Sequence, residues 1–237
     1  MTVTTVSPQV TGPSGAQTVD TAITELLLAG YTGRDRAKVL AHVRELELAG
    51  VAPPDRAPSL FVLEPGLLTT GDAITVQGPE TSGEVEMVLV RSSPGIRVTV
   101  GSDHTDRQIE RESVARSKTV CAKVVASGAW RVEEVAGRWD TLELRSWSTF
   151  DGRRKLYREG SLADFLTVDE LCKELAAMGR PPTPGQVIFG GTLALSGHGT
   201  FEYGERFETE VRDPATGRTL GCSYAVRTPM WSPQTRR

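Results

Sequence analysis

The sequence predicts a β-rich α+β domain. Short alternating or β-branched segments, separated by Gly, Pro and Ser, fill most of it, and only two stretches carry a helical period. The chain of 237 residues is 38% apolar and 24% charged, enough for a packed core in one large domain. Residues 1–20 are rich in Thr, Ser, Gly and Pro and read as a flexible or edge-strand segment. Residues 21–228 read as a single domain and 229–237 as a tail.

Taken in order, 23–29 is an apolar run closed by Gly30 and reads as a buried strand. The first helix spans 35–49, with Asp35 as its cap, Val39, Leu40, Val43, Leu46 and Leu48 as its apolar stripe, and Gly50 as its stop. Pro53, Pro54 and Pro58 then force an extended crossing. Strands follow at 59–63, 73–77, 83–91 and 96–101. The polar run 103–118 is a candidate helix. Strands return at 120–126 and 139–149, and Asp151-Gly152 marks a hairpin turn. The second helix spans 168–178 and ends at Gly179. Closing strands read at 187–195, 201–212 and 219–226, with a hairpin tip at 215–217.

Composition narrows the function. A net charge of −3, a pI near 5.7 and 6% aromatic residues offer neither the electrostatics nor the stacking surface of a nucleic-acid or anionic-membrane binder. No apolar run approaches the ~20 residues of a membrane span, and the first residues lack the pattern of a signal peptide. The expected compartment is cytoplasmic. Cys121, Cys172 and Cys222 are too few and too widely spaced for a disulfide framework or a zinc cluster, so reduced thiols are expected.

The chemistry-bearing residues begin with Glu84-Val85-Glu86. Side chains two apart on a strand share a face, so two carboxylates project together while Val85 and Met87 face the other way. Like charges side by side repel, and a bound cation relieves them; a solvated edge face is the alternative. Asp103, at the end of the next strand, is a candidate third ligand, with Arg107 one turn on to grip a substrate carboxylate. The alternative there is a helix start capped by Asp103 or Thr105. Three oxygen donors with open positions suit Mg²⁺, Mn²⁺ or Ca²⁺ better than zinc. Lys123, among apolar strand residues, can stabilise developing negative charge or simply lay its stem over apolar surface. His42 and Glu45 share a helix face, as a base dyad or as an ordinary polar pair. In Gly190-Gly191-Thr192 the glycines let backbone approach a ligand and Thr192 offers a hydroxyl; a bulged core strand is the alternative. His104 reads as solvent-facing rather than as a support for the ligands, and His198 as a loop histidine.

In this order and spacing the residues resemble the fumarylacetoacetate hydrolase superfamily. The family pattern runs His-x-x-Glu (His42, Glu45), Glu-x-Glu (Glu84, Glu86), then an Asp with Arg four residues on (Asp103, Arg107) and Lys twenty on (Lys123). It closes with Pro-Gly-Asp-x-Ile-x-Thr-Gly-Thr, here residues 184–192. Five positions depart from it. Glu110 stands for the family's Gln, Thr105-Asp106 for Ser-Ala, Gln186 for the Asp, and Gly190 for the first Thr, which marks a divergent branch. The resemblance covers about residues 29–226 and implies a mixed β-sandwich roll with a few peripheral helices, in a homodimer. It implies Mg²⁺ or Mn²⁺ on Glu84, Glu86 and Asp103, a His42–Glu45 water-activating dyad, Lys123 beside the enolate or oxyanion, and Arg107, Gly191 and Thr192 on the substrate. The implied activity is metal-dependent hydrolysis of a C–C bond in a small 2-oxo or 1,3-dicarbonyl acid, acylpyruvate-like. Decarboxylation, hydration or enol–keto isomerisation of a similar acid is a second reading. A non-catalytic dimer that binds a small acid is a third.

Overall fold

Alternation along the strands sets the layers. The computed structural model describes residues 4–12, 15–48, 53–93, 95–193, 195 and 200–229. Its main strands are β1 (Glu25–Gly30), β2 (Ser59–Leu63), β3 (Val85–Arg91), β4 (Ile96–Asp103), β5 (Lys123–Val125), β6 (Gly128–Arg131), β7 (Glu143–Phe150), β8 (Arg153–Ser161), β9 (Gln186–Thr192), β10 (Arg206–Asp213) and β11 (Arg218–Arg227). The helices are α1 (Arg36–Leu48), α2 (Arg107–Glu110), α3 (Val114–Thr119), α4 (Val132–Val135) and α5 (Val168–Ala177).

A ten-stranded sheet contains the path β6-β4-β3-β9-β1-β2, and β5 branches from β4. A five-stranded sheet runs β8-β7-β10-β11 and ends on the short strand Ala73–Thr75. Val85, Met87 and Leu89 of β3 and Val98 and Val100 of β4 meet Leu144 of β7, Val211 of β10 and Leu171 and Leu175 of α5 in the principal core. Val88 and Val90 project to the opposite face and pack with Leu26, Leu28, Val187 and Phe189. Each fully buried side chain of this size stabilises the fold by about 1.5–3 kcal/mol. This is the mixed, strand-rich β-sandwich roll with few helices that the resemblance implied.

Local expectations hold where the signal is strong. Asp35 Oδ1 accepts the N–H groups of Ala37 and Lys38 and caps α1. The Asp151-Gly152 turn takes φ of 47° and 69°, as a tight hairpin of right-twisted strands requires. Thr167 and Glu170 form a reciprocal capping box at the start of α5. Residues Gln9–Gly12 and Gly15–Thr18 extend the large sheet beyond β6, so this part of the N-terminal segment forms edge strands.

Four expectations are corrected. Leu40 is 55% exposed, so the α1 stripe is narrower than its sequence suggests. Residues 103–118 do not form one helix: a two-residue strand pairing, Thr105–Asp106 with Thr81–Ser82, is followed by α2 and α3. Asp106, rather than Asp103 or Thr105, caps α2 by accepting the Ile109 N–H. The strand expected from 139 begins at Glu143, because 136–141 closes a 3-10 turn with the Leu142 N–H on Trp139 O. Strand β6 was not anticipated, since its four residues are too short to show a period. No described helix is long and apolar enough to cross a membrane. The three cysteines are free thiols.

The β10–β11 hairpin carries an acid-sensitive clamp. Asp213 accepts from Arg138 Nη2 at 2.7 Å, Thr216 Oγ1 at 2.7 Å and Ala215 N at 3.1 Å. The Arg138 hydrogen bond holds its carboxyl down at about 2. A carboxyl depressed in the folded state contributes stability above its unfolded value near 3.9, and that contribution is lost as pH falls through about 2. Asp213→Asn should therefore lower neutral-pH stability, by at most about 1 kcal/mol because Arg138 is 29% exposed and solvent screens the pair. The gap to wild type in thermal melts should close between about pH 4 and pH 2. A gap that stays constant with pH would mean the clamp acts only through its shape.

Candidate metal centre

The ends of four neighbouring strands assemble the site. Antiparallel register places Glu86 opposite Gly101 across β3 and β4, and the Asp103 N–H donates to Glu84 O at 3.0 Å. The same β4 residue, Asp103, pairs with Lys123 of β5, and Glu86 pairs with Thr192 of β9. Glu84 immediately precedes β3 and shares the Glu86 face, while Val85 and Met87 enter the core on the other side. Alternation thus delivers the expected cluster: one oxygen from each of Glu84, Glu86 and Asp103 lies within 4.8 Å of the others, and all three residues are buried.

The charges around these carboxylates are unevenly shared. Glu84 Oε1 meets Arg107 at 3.0 Å and Arg158 at 3.4 Å, and its Oε2 meets Lys118 Nζ at 2.7 Å. Asp103 Oδ2 meets the same Lys118 Nζ at 2.7 Å, and its Oδ1 meets Lys123 Nζ at 2.7 Å. Burial alone would raise the Glu84 carboxyl, but Arg107, Lys118 and Arg158 hold it well below the usual carboxylate range. Glu86 forms no ion pair with a described residue and accepts the Gly191 N–H at 2.8 Å. Burial first, and then the charges of Asp103 and Glu84, push its carboxyl well above the usual range. A buried carboxylate strained by two like charges suits a site completed by a further cation. The all-oxygen donor set fits a hard divalent ion such as Mg²⁺ or Mn²⁺.

Other expected site residues are placed as follows. Lys123 is wholly buried, donates to His104 O at 2.7 Å and stands in ion-pair contact with Asp103 Oδ1 at 2.7 Å, so N–H capacity remains for a further oxygen. Arg107 is buried and held internally: Nε donates to Ser82 Oγ at 2.7 Å, Nη1 to Glu110 at 2.8 Å, and the guanidinium lies 4.2 Å over the Phe201 ring. It braces Glu84 and Glu110 and does not present an open fork to solvent. Glu110, where the family has Gln, serves as its ionic partner. Gly191 has φ of 95°, and a Cβ there would lie 2.2 Å from Thr32 Oγ1, so the glycine is what lets its N–H reach Glu86. Thr192 Oγ1 donates to Val85 O at 2.9 Å.

His104 is corrected from solvent-facing to fully buried. Its Nδ1 contacts the Tyr224 hydroxyl and its Nε2 the Thr81 hydroxyl, both at 2.9 Å. Burial first, and then Lys123 and Arg107, hold the imidazole well below its usual range. His42 and Glu45 lie on α1, but their side chains fall outside the described residues, as does His198.

Three contributors were missed by sequence reasoning. Lys118, on α3, was passed over in favour of Lys123. Arg158 arrives from β8 of the other sheet and also donates to Leu193 O, with no local signal. Tyr31 follows β1 with φ of 56°, a positive value uncommon for a bulky residue. Burial and the Glu110 charge raise its hydroxyl, with Lys118 opposing, so it lies within the electrostatic reach of the cage.

The fold is the one seen in solved fumarylacetoacetate hydrolase family structures, and the ends of its central strands carry a buried acidic cage. The chain belongs to the family described as Protein of unknown function (DUF2848), which matches residues 29–224. Among solved structures it is similar to a fumarylacetoacetate hydrolase family protein from Yersinia pestis CO92, with 16% identity, TM-score 0.63, and coverage of 92% of this chain and 100% of that one. It is also similar to 2-keto-3-deoxy-D-arabinonate dehydratase complexed with magnesium and 2,5-dioxopentanoate, at 17% identity, TM-score 0.61 and coverage of 92% and 78%. A third is maleylpyruvate hydrolase from Sphingobium sp. SYK-6 with manganese(II) and pyruvate, at 14% identity, TM-score 0.58 and coverage of 87% and 71%. No curated protein matches the chain by sequence.

Proposed function

We propose that this chain is a divalent-metal-dependent hydrolase of a C–C bond in a small 2-oxo or 1,3-dicarbonyl acid, acylpyruvate-like. The observation that carries the reading is the buried Glu84–Glu86–Asp103 cage, in which Glu86 forms no ion pair with a described residue. These three residues would hold Mg²⁺ or Mn²⁺. The ion, when bound, supplies Lewis acidity and a template for two adjacent substrate oxygens.

The chain's own residues do the rest. Lys123, fixed on Asp103 and His104 O, directs its remaining N–H towards negative charge developing on an enolate or oxyanion. Gly191 and Thr192 border the cage from β9 and orient the acid, and Arg107, on α2, acts through Glu84, which it braces. The His42–Glu45 pair on α1 activates water, His42 taking its proton and Glu45 steadying the imidazolium.

Proteins similar in fold include both a maleylpyruvate hydrolase with manganese and pyruvate and a dehydratase with magnesium and 2,5-dioxopentanoate. That observation supports a second reading, in which the same cage serves decarboxylation, hydration or enol–keto isomerisation. A screen of 2-oxo and 1,3-dicarbonyl acids with Mn²⁺ or Mg²⁺, read by mass spectrometry, tests both. Turnover of one such acid that a chelator abolishes is expected. Incorporation of isotopically labelled water into the cleaved acid selects hydrolysis. No heat of Mn²⁺ binding and no turnover would leave the non-catalytic acid-binding reading.

A further inference from the structure

Lys118 stands between two of the three proposed ligands. Among the described residues its ammonium is the one cation that bridges two of them, at 2.7 Å from both Glu84 Oε2 and Asp103 Oδ2. The remaining oxygens of those two carboxylates are held by Arg107, Arg158 and Lys123. A hard divalent ion approaches its oxygen ligands to about 2.0–2.6 Å, so an ion that bridges these two oxygens from the side the ammonium uses displaces it.

Charge leads to the same place. Four cationic side chains, Arg107, Lys118, Lys123 and Arg158, face four carboxylates, Glu84, Glu86, Asp103 and Glu110. Adding a divalent ion to these groups would leave a buried excess of two positive charges, which a low-dielectric site penalises, and expelling one ammonium halves that excess. Of the four cations, Lys118 can leave most readily. Its side chain is 10% exposed where that of Lys123 is 0%, it hangs on a four-carbon stem, and α3 is a short helix beside the exposed Val120. It also donates to the Thr105 hydroxyl at 3.1 Å.

We infer that Lys118 is a built-in competitor for the metal site: its ammonium closes the acidic cage in the metal-free protein and is displaced when a divalent cation loads. The inference rests on the proposed metal-dependent function. It gives the chain a folded, charge-balanced apo state and makes occupancy a response to metal supply.

Calorimetry with Mn²⁺ on the wild type and on Lys118→Met tests it. The variant should bind Mn²⁺ about tenfold tighter or more, because the ion no longer has to displace a buried charge. It should also gain more thermal stability from Mn²⁺ than the wild type does. Equal or weaker binding by a folded variant overturns the inference. Should the variant fail to fold, amine labelling of the wild type, read at Lys118 by mass spectrometry, decides the matter. Labelling that rises with Mn²⁺ supports displacement, and labelling unchanged at saturating Mn²⁺ overturns it. If Mn²⁺ binds neither protein, the metal-dependent function falls as well; if it binds the wild type but the variant no tighter, only the competition falls.

Discussion

Glu86→Gln should weaken Mn²⁺ binding by about a hundredfold or more while leaving the metal-free protein as stable as the wild type or more so. The two halves have opposite signs because Glu86 is the unmatched ligand. Glu84 and Asp103 are each held by at least two cationic side chains, whereas Glu86 has one backbone N–H and two carboxylate neighbours. Glutamine keeps the volume and the oxygen that accepts from Gly191. It removes a charge that burial and its neighbours disfavour, a gain of about 1 kcal/mol, or roughly 2–4 °C in Tm at this chain length. With a cation present the same charge becomes an asset, and its loss costs affinity. Calorimetry and metal-free melts on one preparation measure both halves. A variant that binds Mn²⁺ normally would place the ion elsewhere. One that binds poorly and is also strongly destabilised without metal would make Glu86 a structural anchor.

The contrast between these ligands and their counter-charges marks the limit of what the sequence could say. Glu84, Glu86 and Asp103 were legible because face alternation is a property of a few consecutive residues, and β3 and β4 are adjacent in the chain. Lys123 followed because β5 pairs with β4 at Asp103 itself. Arg158 was invisible for the converse reason: it reaches Glu84 from the other sheet, seventy-four residues away, and nothing local distinguishes it from its neighbour Arg154, which pairs with Glu208 at the surface. His104 misled because it lies in a polar run that reads as solvent-facing. The short strand pairing of Thr105–Asp106 with Thr81–Ser82 folds that run inward, and Tyr224 and Thr81 then satisfy both ring nitrogens. Arg107 lies beside Glu84, but its other partners were not foreseen, because Ser82, Glu110 and Phe201 converge on it only in three dimensions.

Lys123→Met should destabilise the metal-free protein by about 3–5 kcal/mol, the usual cost of removing one partner from a buried ion pair. Against a typical total of about 5–15 kcal/mol, that is a large share. The loss arises because methionine fills the space of the lysine stem but leaves buried Asp103 without its 2.7 Å ion-pair partner and His104 O without its 2.7 Å donor. Lys118 cannot make good the loss, since its ammonium already serves Glu84 and the other Asp103 oxygen. The double variant Lys123→Met/Asp103→Asn should recover part of the stability, because the stranded charge is gone. Additive losses in the double variant would refute the pairing. Turnover separates this bracing role from the proposed chemical one. If Lys123 only positions Asp103, Mn²⁺ affinity and kcat fall together, and excess metal restores most of the rate. If its third N–H also meets the developing negative charge, kcat stays depressed by about 10²–10³-fold at saturating metal and substrate.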